Sequence, residues 1–228
     1  MINRRVVEKS DEFDYPYTYS TTPGGTFGWT IADTSAAGAP TYLNTSTEDG
    51  GAAGLTLAST SEIENVCLYQ NDVLMYDWAT IQYIEFIVKG LIAFTSGDTL
   101  FFGLSSARND AIASISEIIA FKLVAATSLT AVVIDTKDGT TAVTNTATGG
   151  SLLTTYQKFA FDFSNGLGDV RAFINGARVA AGTTFNLAAI TAGHNAQLIV
   201  QLQKTATASV SNLEISRVKI QYRVAEGA

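Results

Sequence analysis

Residues 156–180, YQKFAFDFSNGLGDVRAFINGARVA, leave the chain few folds to choose from. Phe159, Phe161 and Phe163 alternate with Lys158, Ala160 and Asp162. A period of two puts the three rings on one face of a pleated strand. Ser164-Asn165-Gly166 breaks the run, and Val170, Ala172 and Ile174 resume an alternation. Asn175-Gly176 then accepts the positive φ angles of a two-residue type I′ hairpin, so Arg178-Val179-Ala180 is expected to fold back antiparallel. A meander with an aromatic face needs an apolar layer to cover it, which points to an antiparallel β-sandwich.

The rest of the chain repeats this language. Short alternating runs separated by Gly, Asn, Asp and Ser recur at the spacing of sandwiches, and no helix of ordinary length is evident. Residues 79–90 read as a strong strand, with Ile84, Phe86 and Val88 on one face and Ile81, Tyr83, Glu85 and Ile87 on the other. Being apolar on both faces, it is expected to be covered on both or to sit at a subunit contact. Gly103, inside the run LFFGL, marks a bulge or a close backbone approach. In the last strand Leu213 and Ile215 share one parity, while Val218, Ile220, Tyr222 and Val224 share the other. Both sets reach one core only if an extra residue is accommodated near Ser216-Arg217, so a β-bulge is expected there.

With 228 residues, the chain fits one large all-β domain plus an arm better than two domains. Residues 1–27 read as an N-terminal arm or edge strand, and residues 28–228 as the sandwich. The first segment is rich in charge and then alternates Phe13, Tyr15, Tyr17 and Tyr19 around Pro16, which bars a central place in a sheet. Pro23-Gly24-Gly25 is the boundary. The four rings either lie over the sandwich or insert into a neighbouring subunit, since tyrosine offers apolar area with a polar tip. Arg217, Lys219 and Arg223 form an outward basic stripe on the last strand, either a solvated face or a dock for an acidic surface. These seven residues are the candidate partner contacts.

Composition narrows the function classes. Charged residues are 15% of the chain, against the ~25% usual for soluble proteins, so Thr, Ser, Ala, Asn and Gly must cover much of the surface. The formal net charge of -7 argues against nucleic acid as a partner. No apolar stretch is long enough to span a membrane. The opening MINRRVVEKSDEF lacks an apolar run after its basic residues, so no secretory leader is expected and folding in a cytoplasm is.

Chemistry is sparse. The single cysteine, Cys67, reads as a small buried hydrophobe, and the single histidine, His194, as a solvated turn residue. One Cys and one His exclude an ordinary zinc site. Glu62-Ile63-Glu64 is the close carboxylate pair a glycosidase would need, but it follows a Ser-Thr-Ser turn and reads as solvated. No cofactor, metal or catalytic residue is expected.

Phe161-Asp162-Phe163, followed by Gly168, Val170, Asn175, Gly176 and Val179, resembles the concanavalin A-like, laminin-G-like jelly rolls. The match covers residues 156–180 and extends loosely to the C-terminal strand. It implies the fold and says little of activity. In style, the sandwich with a polar arm and Thr/Ala/Gly-rich loops is similar to tailed-phage virion proteins: head decoration proteins, head fibres and tail-fibre modules. That resemblance implies a non-enzymatic capsid decoration or stabilising protein, made in the host cytoplasm and carried on the virion. Its partners would be the major capsid protein or neighbouring copies in a homo-oligomer such as a trimer. The alternative is a carbohydrate-binding, lectin-like module, free or on a tail fibre, with a glycan held against Trp29, Trp78 or Tyr83.

Overall fold

The computed structural model describes residues 4–13, 27–45, 51–73, 75–90, 94–191, 193–208 and 210–225. Its strands are β1 (Arg4–Asp11), β2 (Thr30–Asp33), β3 (Thr41–Thr45), β4 (Ala52–Thr56), β5 (Glu64–Tyr69), β6 (Tyr76–Asp77), β7 (Ile81–Gly90) and β8 (Asp98–Ser105). Then come β9 (Glu117–Val124), β10 (Ala131–Asp138), β11 (Ala142–Ser151), β12 (Gln157–Asp162), β13 (Arg171–Ile174), β14 (Ala177–Val179), β15 (Asn195–Lys204) and β16 (Asn212–Ala225). Helix among the described residues is limited to two single turns, Trp78–Thr80 and Ile112–Ser114.

The strands form two antiparallel sheets. The first runs β14-β13-β12-β7-β16-β4-β3, with β1 added beside β16. The second runs β11-β10-β9-β8-β15-β5-β2, with β6 on β15. The phenylalanines of β12 tie the sheets together. Phe159 meets Phe102 and Phe121 of the opposite sheet edge-on, each at 5.2 Å between centroids, and Phe161 stacks on Phe121 at 4.3 Å. Phe159, Phe161 and Phe163 are all buried, as their shared parity requires.

Local chemistry sets the turns and registers. Asn175 (φ 50°) and Gly176 (φ 80°) close the β13–β14 hairpin between the paired residues Ile174 and Ala177, the geometry of a type I′ turn. On β16 the register against β7 shifts between Ile215 and Arg217, so an extra residue lies where the change of parity demands it. Leu213 and Ile215 before it, and Val218 and Ile220 after it, are all fully buried. Gly103 faces the backbone of β9: a Cβ there would lie 2.1 Å from the Ile119 carbonyl oxygen.

Of residues 1–27, β1 is a strand added at the sheet's edge, pairing along its whole length with β16, from Arg4 opposite Ala225 to Asp11 opposite Val218. Other expectations need correction. Phe13 is fully buried in the chain's own core beside Trp29, 6.1 Å between centroids, and not at a partner surface. It gets there because Asp11 turns the chain inward, accepting the Phe13 N–H and the Trp29 indole N–H. Tyr15, Tyr17, Tyr19 and the Pro23-Gly24-Gly25 boundary lie outside the described residues. The Thr-rich residues 142–151 form β11, at the edge of the second sheet. Phe185 makes an isolated bridge to Val170. Glu64 is not solvated. It is buried with Lys204, 3.5 Å away, and accepts the Ala58 N–H at 2.8 Å.

Candidate functional site

The two outer faces differ, and the difference locates the site. The outer face of the second sheet is capped. Cys67, Phe101, Ile118, Ala120 and Ile199 point away from the main core and would be wet, but residues 106–116 lie across them and add Ile115 to a second buried cluster. Polar bonds from its first half hold this strap. The Arg108 N–H donates to Asp72 (3.0 Å), Arg108 Nη2 to Thr34 (2.9 Å), and Gln201 Nε2 to the Asp110 carbonyl (3.2 Å). Burial pushes the Cys67 thiol far above its usual range, which removes it as a nucleophile. Cys67 also pairs with Gln201, six residues along β15 from the start of the strand beside His194. That is about 20 Å at strand rise, so the two cannot act as a pair.

The outer face of the first sheet is open. A trough of about 520 Å³ crosses it from Phe173 on β13, over Ala160 on β12 and Tyr83 on β7, to Gln221 on β16 and Val6 on β1. Five adjacent strands at sheet spacing span about 19 Å. The register builds the shape. Ala160 stands opposite Phe173 on one side and Glu85 on the other, so a methyl group forms the floor between larger walls. Tyr83 and Phe173 are both half-buried, each leaving ring surface accessible. Lys158 and Asp162, two residues to either side of Ala160 on the same face of β12, border the floor with opposite charges.

A charge cluster fixes the central wall. Glu85 is 2% exposed. It accepts the Tyr83 hydroxyl at 2.7 Å and Arg217 Nη2 at 2.5 Å, and Lys158 Nζ lies 3.6 Å away. Burial alone would raise its carboxyl pKa. The bonds from Tyr83 and Arg217, with the charges of Lys158 and Arg217, outweigh burial and hold it below the usual range. Tyr83 shifts the other way: burial, then its bond to Glu85 and that charge, push the phenol far above normal. The ring is therefore locked as a neutral donor. The Lys219 ammonium also lies 5.3 Å from its centroid.

The basic stripe of the last strand thus has its acids beside it. Arg217 pairs with Glu85, and Lys219 with Glu8 of β1 at 3.7 Å. Arg223 is exposed opposite Val6. Of the three aromatics named as possible glycan contacts, Tyr83 lines the trough, while Trp29 and Trp78 are buried. Phe173 and Ala160 were not singled out from sequence, though their shared outward parity was readable. Glu85 and Asp162 are two carboxylates on one face. A glycosidase pair must flank the scissile bond, whereas of these two only Asp162 lines the trough, and Glu85 is engaged by Tyr83, Arg217 and Lys158. Among the described residues, no three His, Cys, Asp or Glu side chains converge as a metal site.

No protein-family model and no curated protein sequence matches the chain. Solved structures do match it in fold. The carbohydrate recognition domain of Emp47p aligns with a TM-score of 0.59 at 11% identity, covering 92% of this chain and 96% of that one. A protein of unknown function from Shewanella oneidensis aligns at 0.61 and 13% identity, covering 100% and 91%. A glycoside hydrolase family 16 endo-glucanase from Bacteroides ovatus aligns at 0.59 and 13% identity, covering 93% and 99%. The architecture is the concanavalin A-like jelly-roll sandwich. Lectins and glycoside hydrolases share this fold, so it does not by itself decide between binding and catalysis.

Proposed function

We propose that this chain is a carbohydrate-binding, lectin-like module that holds an oligosaccharide across the outer face of the first sheet. The observation that carries the reading is the trough itself: half-exposed Tyr83 and Phe173 rings over the Ala160 floor, with Lys158, Asp162 and Gln221 placed to hydrogen-bond hydroxyl groups. Apolar ring faces with a few fixed polar groups are what a sugar, apolar on its C–H faces and polar at its edges, requires. The fold likeness to a carbohydrate recognition domain and to an endo-glucanase supports it. We assign no bond cleavage to the trough. A glycan array followed by titration calorimetry tests the reading. Wild type should bind at least one glycan class, and Phe173→Ala, which removes a half-exposed wall ring, should weaken that binding at least tenfold. Equal binding by both proteins would place the ligand elsewhere.

A second reading, a structural subunit of a virion shell or fibre, is favoured by β11. This outermost ten-residue strand is largely exposed and carries no charged side chain to deter pairing with a neighbour. The native mass tests it. A homo-oligomer supports the reading, and a monomer at all concentrations counts against it.

A further inference from the structure

We propose that a cleft at one end of the second sheet, apart from the trough, hydrolyses small carboxylic esters with His194 as the general base. The cleft holds about 430 Å³ and is lined by Ser106, Ser116, Glu117, Gly193, His194 and Asn195. His194 is the chain's only histidine, and its backbone is fixed on both sides. Its N–H donates to the Thr191 carbonyl (3.1 Å), its carbonyl accepts the Trp78 N–H (3.1 Å), and the next residue, Asn195, pairs with Asp77. Its ring Nδ1 lies 2.5 Å from Glu117 Oε1. The Glu117 side chain is only 8% exposed, whereas that of His194 is 52% exposed. A buried carboxylate thus holds Nδ1–H and leaves Nε2 as the basic nitrogen of a half-exposed ring. Glu117 is itself fixed at the head of β9: its carbonyl accepts the Ser106 N–H (2.9 Å) and its N–H donates to Ser106 Oγ (3.3 Å).

Ser106 Oγ and Ser116 Oγ are 3.3 Å apart. They hydrogen-bond to each other, so one hydroxyl of the pair keeps its O–H to donate to a carbonyl oxygen as that oxygen gains negative charge. A neighbouring hollow of about 220 Å³, lined by Thr140 and Thr141, shares Ser116 and leaves room for the alcohol half of an ester. The step balances with water alone. Nε2 takes a proton from water as its oxygen bonds to the acyl carbon. The tetrahedral intermediate collapses, the C–O bond to the alcohol breaks, and the imidazolium returns the proton to the departing oxygen. An acid and an alcohol result.

The full chain assayed with p-nitrophenyl acetate tests this. Hydrolysis should saturate and exceed that of free imidazole at the same concentration. His194→Gln should lower the rate at least tenfold, and Ser116→Ala should lower kcat several-fold. Glu117→Gln, which removes a positioning residue, should lower kcat while leaving KM unmoved. Should His194→Gln fail to fold, carbethoxylation of the wild-type imidazole gives the same readout and should abolish the activity. A wild-type rate no better than free imidazole, or one that survives loss or blocking of His194, overturns the proposal.

Discussion

Glu85 is the residue on which the open face turns. It sits between two strands that bring it two cations, its own strand supplies the Tyr83 hydroxyl, and its depressed pKa links the face to pH. Its folded pKa lies below its unfolded value, so its stabilising contribution is present above the ordinary glutamate range and is lost as pH falls through the folded pKa. Wild type should therefore lose stability below about pH 4–5 more steeply than Glu85→Gln, as read by urea midpoints across a pH series. Equal slopes would mean that the cluster contributes nothing. Much of this residue's role was invisible in the sequence. The alternation of β7 placed Tyr83 and Glu85 on one face, but Arg217, 132 residues away, becomes a neighbour only through the β7–β16 register. The tryptophans are hidden for a similar reason. Trp29 is buried because Phe13, Phe27 and Asp11 gather round it, with Asp11 accepting the indole N–H at 3.1 Å, and no short window shows that cluster.

At the scale of elements, two local devices hold the open face in shape. The first is the β13–β14 hairpin, which carries Phe173 and brings Gly176 to the rim of the trough. Gly176 stands at φ 80°, so Gly176→Ala should cost about 1–2 kcal/mol, measurable by chemical denaturation. A neutral result would show that the turn can change type. The second device is the bulge of β16. Ser216 is the extra residue: without it Leu213, Ile215, Val218 and Ile220 fall into one unbroken alternation with the same partners on β7. A Ser216 deletion is therefore expected to keep all four in the core and to unfold cooperatively, and loss of the cooperative transition would refute the packing described for β16. Both devices were legible in the sequence, since turn chemistry and parity are local signals. The strap over the second sheet was not. In the sequence, residues 107–113 show only a loop with a possible helical turn, and the bonds of Arg108 and Asp110 to Asp72, Thr34 and Gln201 are what place this segment over the sheet.

For the whole molecule, the asymmetry of the two faces is what matters. A strap covers the middle of one sheet's outer face, and the other sheet presents an aromatic-walled trough across five strands. The sandwich was legible from residues 156–180 because aromatic alternation and an Asn-Gly turn leave no helical reading. Which face stays open depends on long-range closure and could not be read. The central claim is that this open face receives a glycan, and its most direct test is amide chemical-shift mapping with the strongest ligand from a glycan array. The shifts should concentrate on Tyr83, Lys158, Ala160, Asp162 and Phe173. A silent array, or shifts confined to the strap, the loops or the other sheet, would contradict the account.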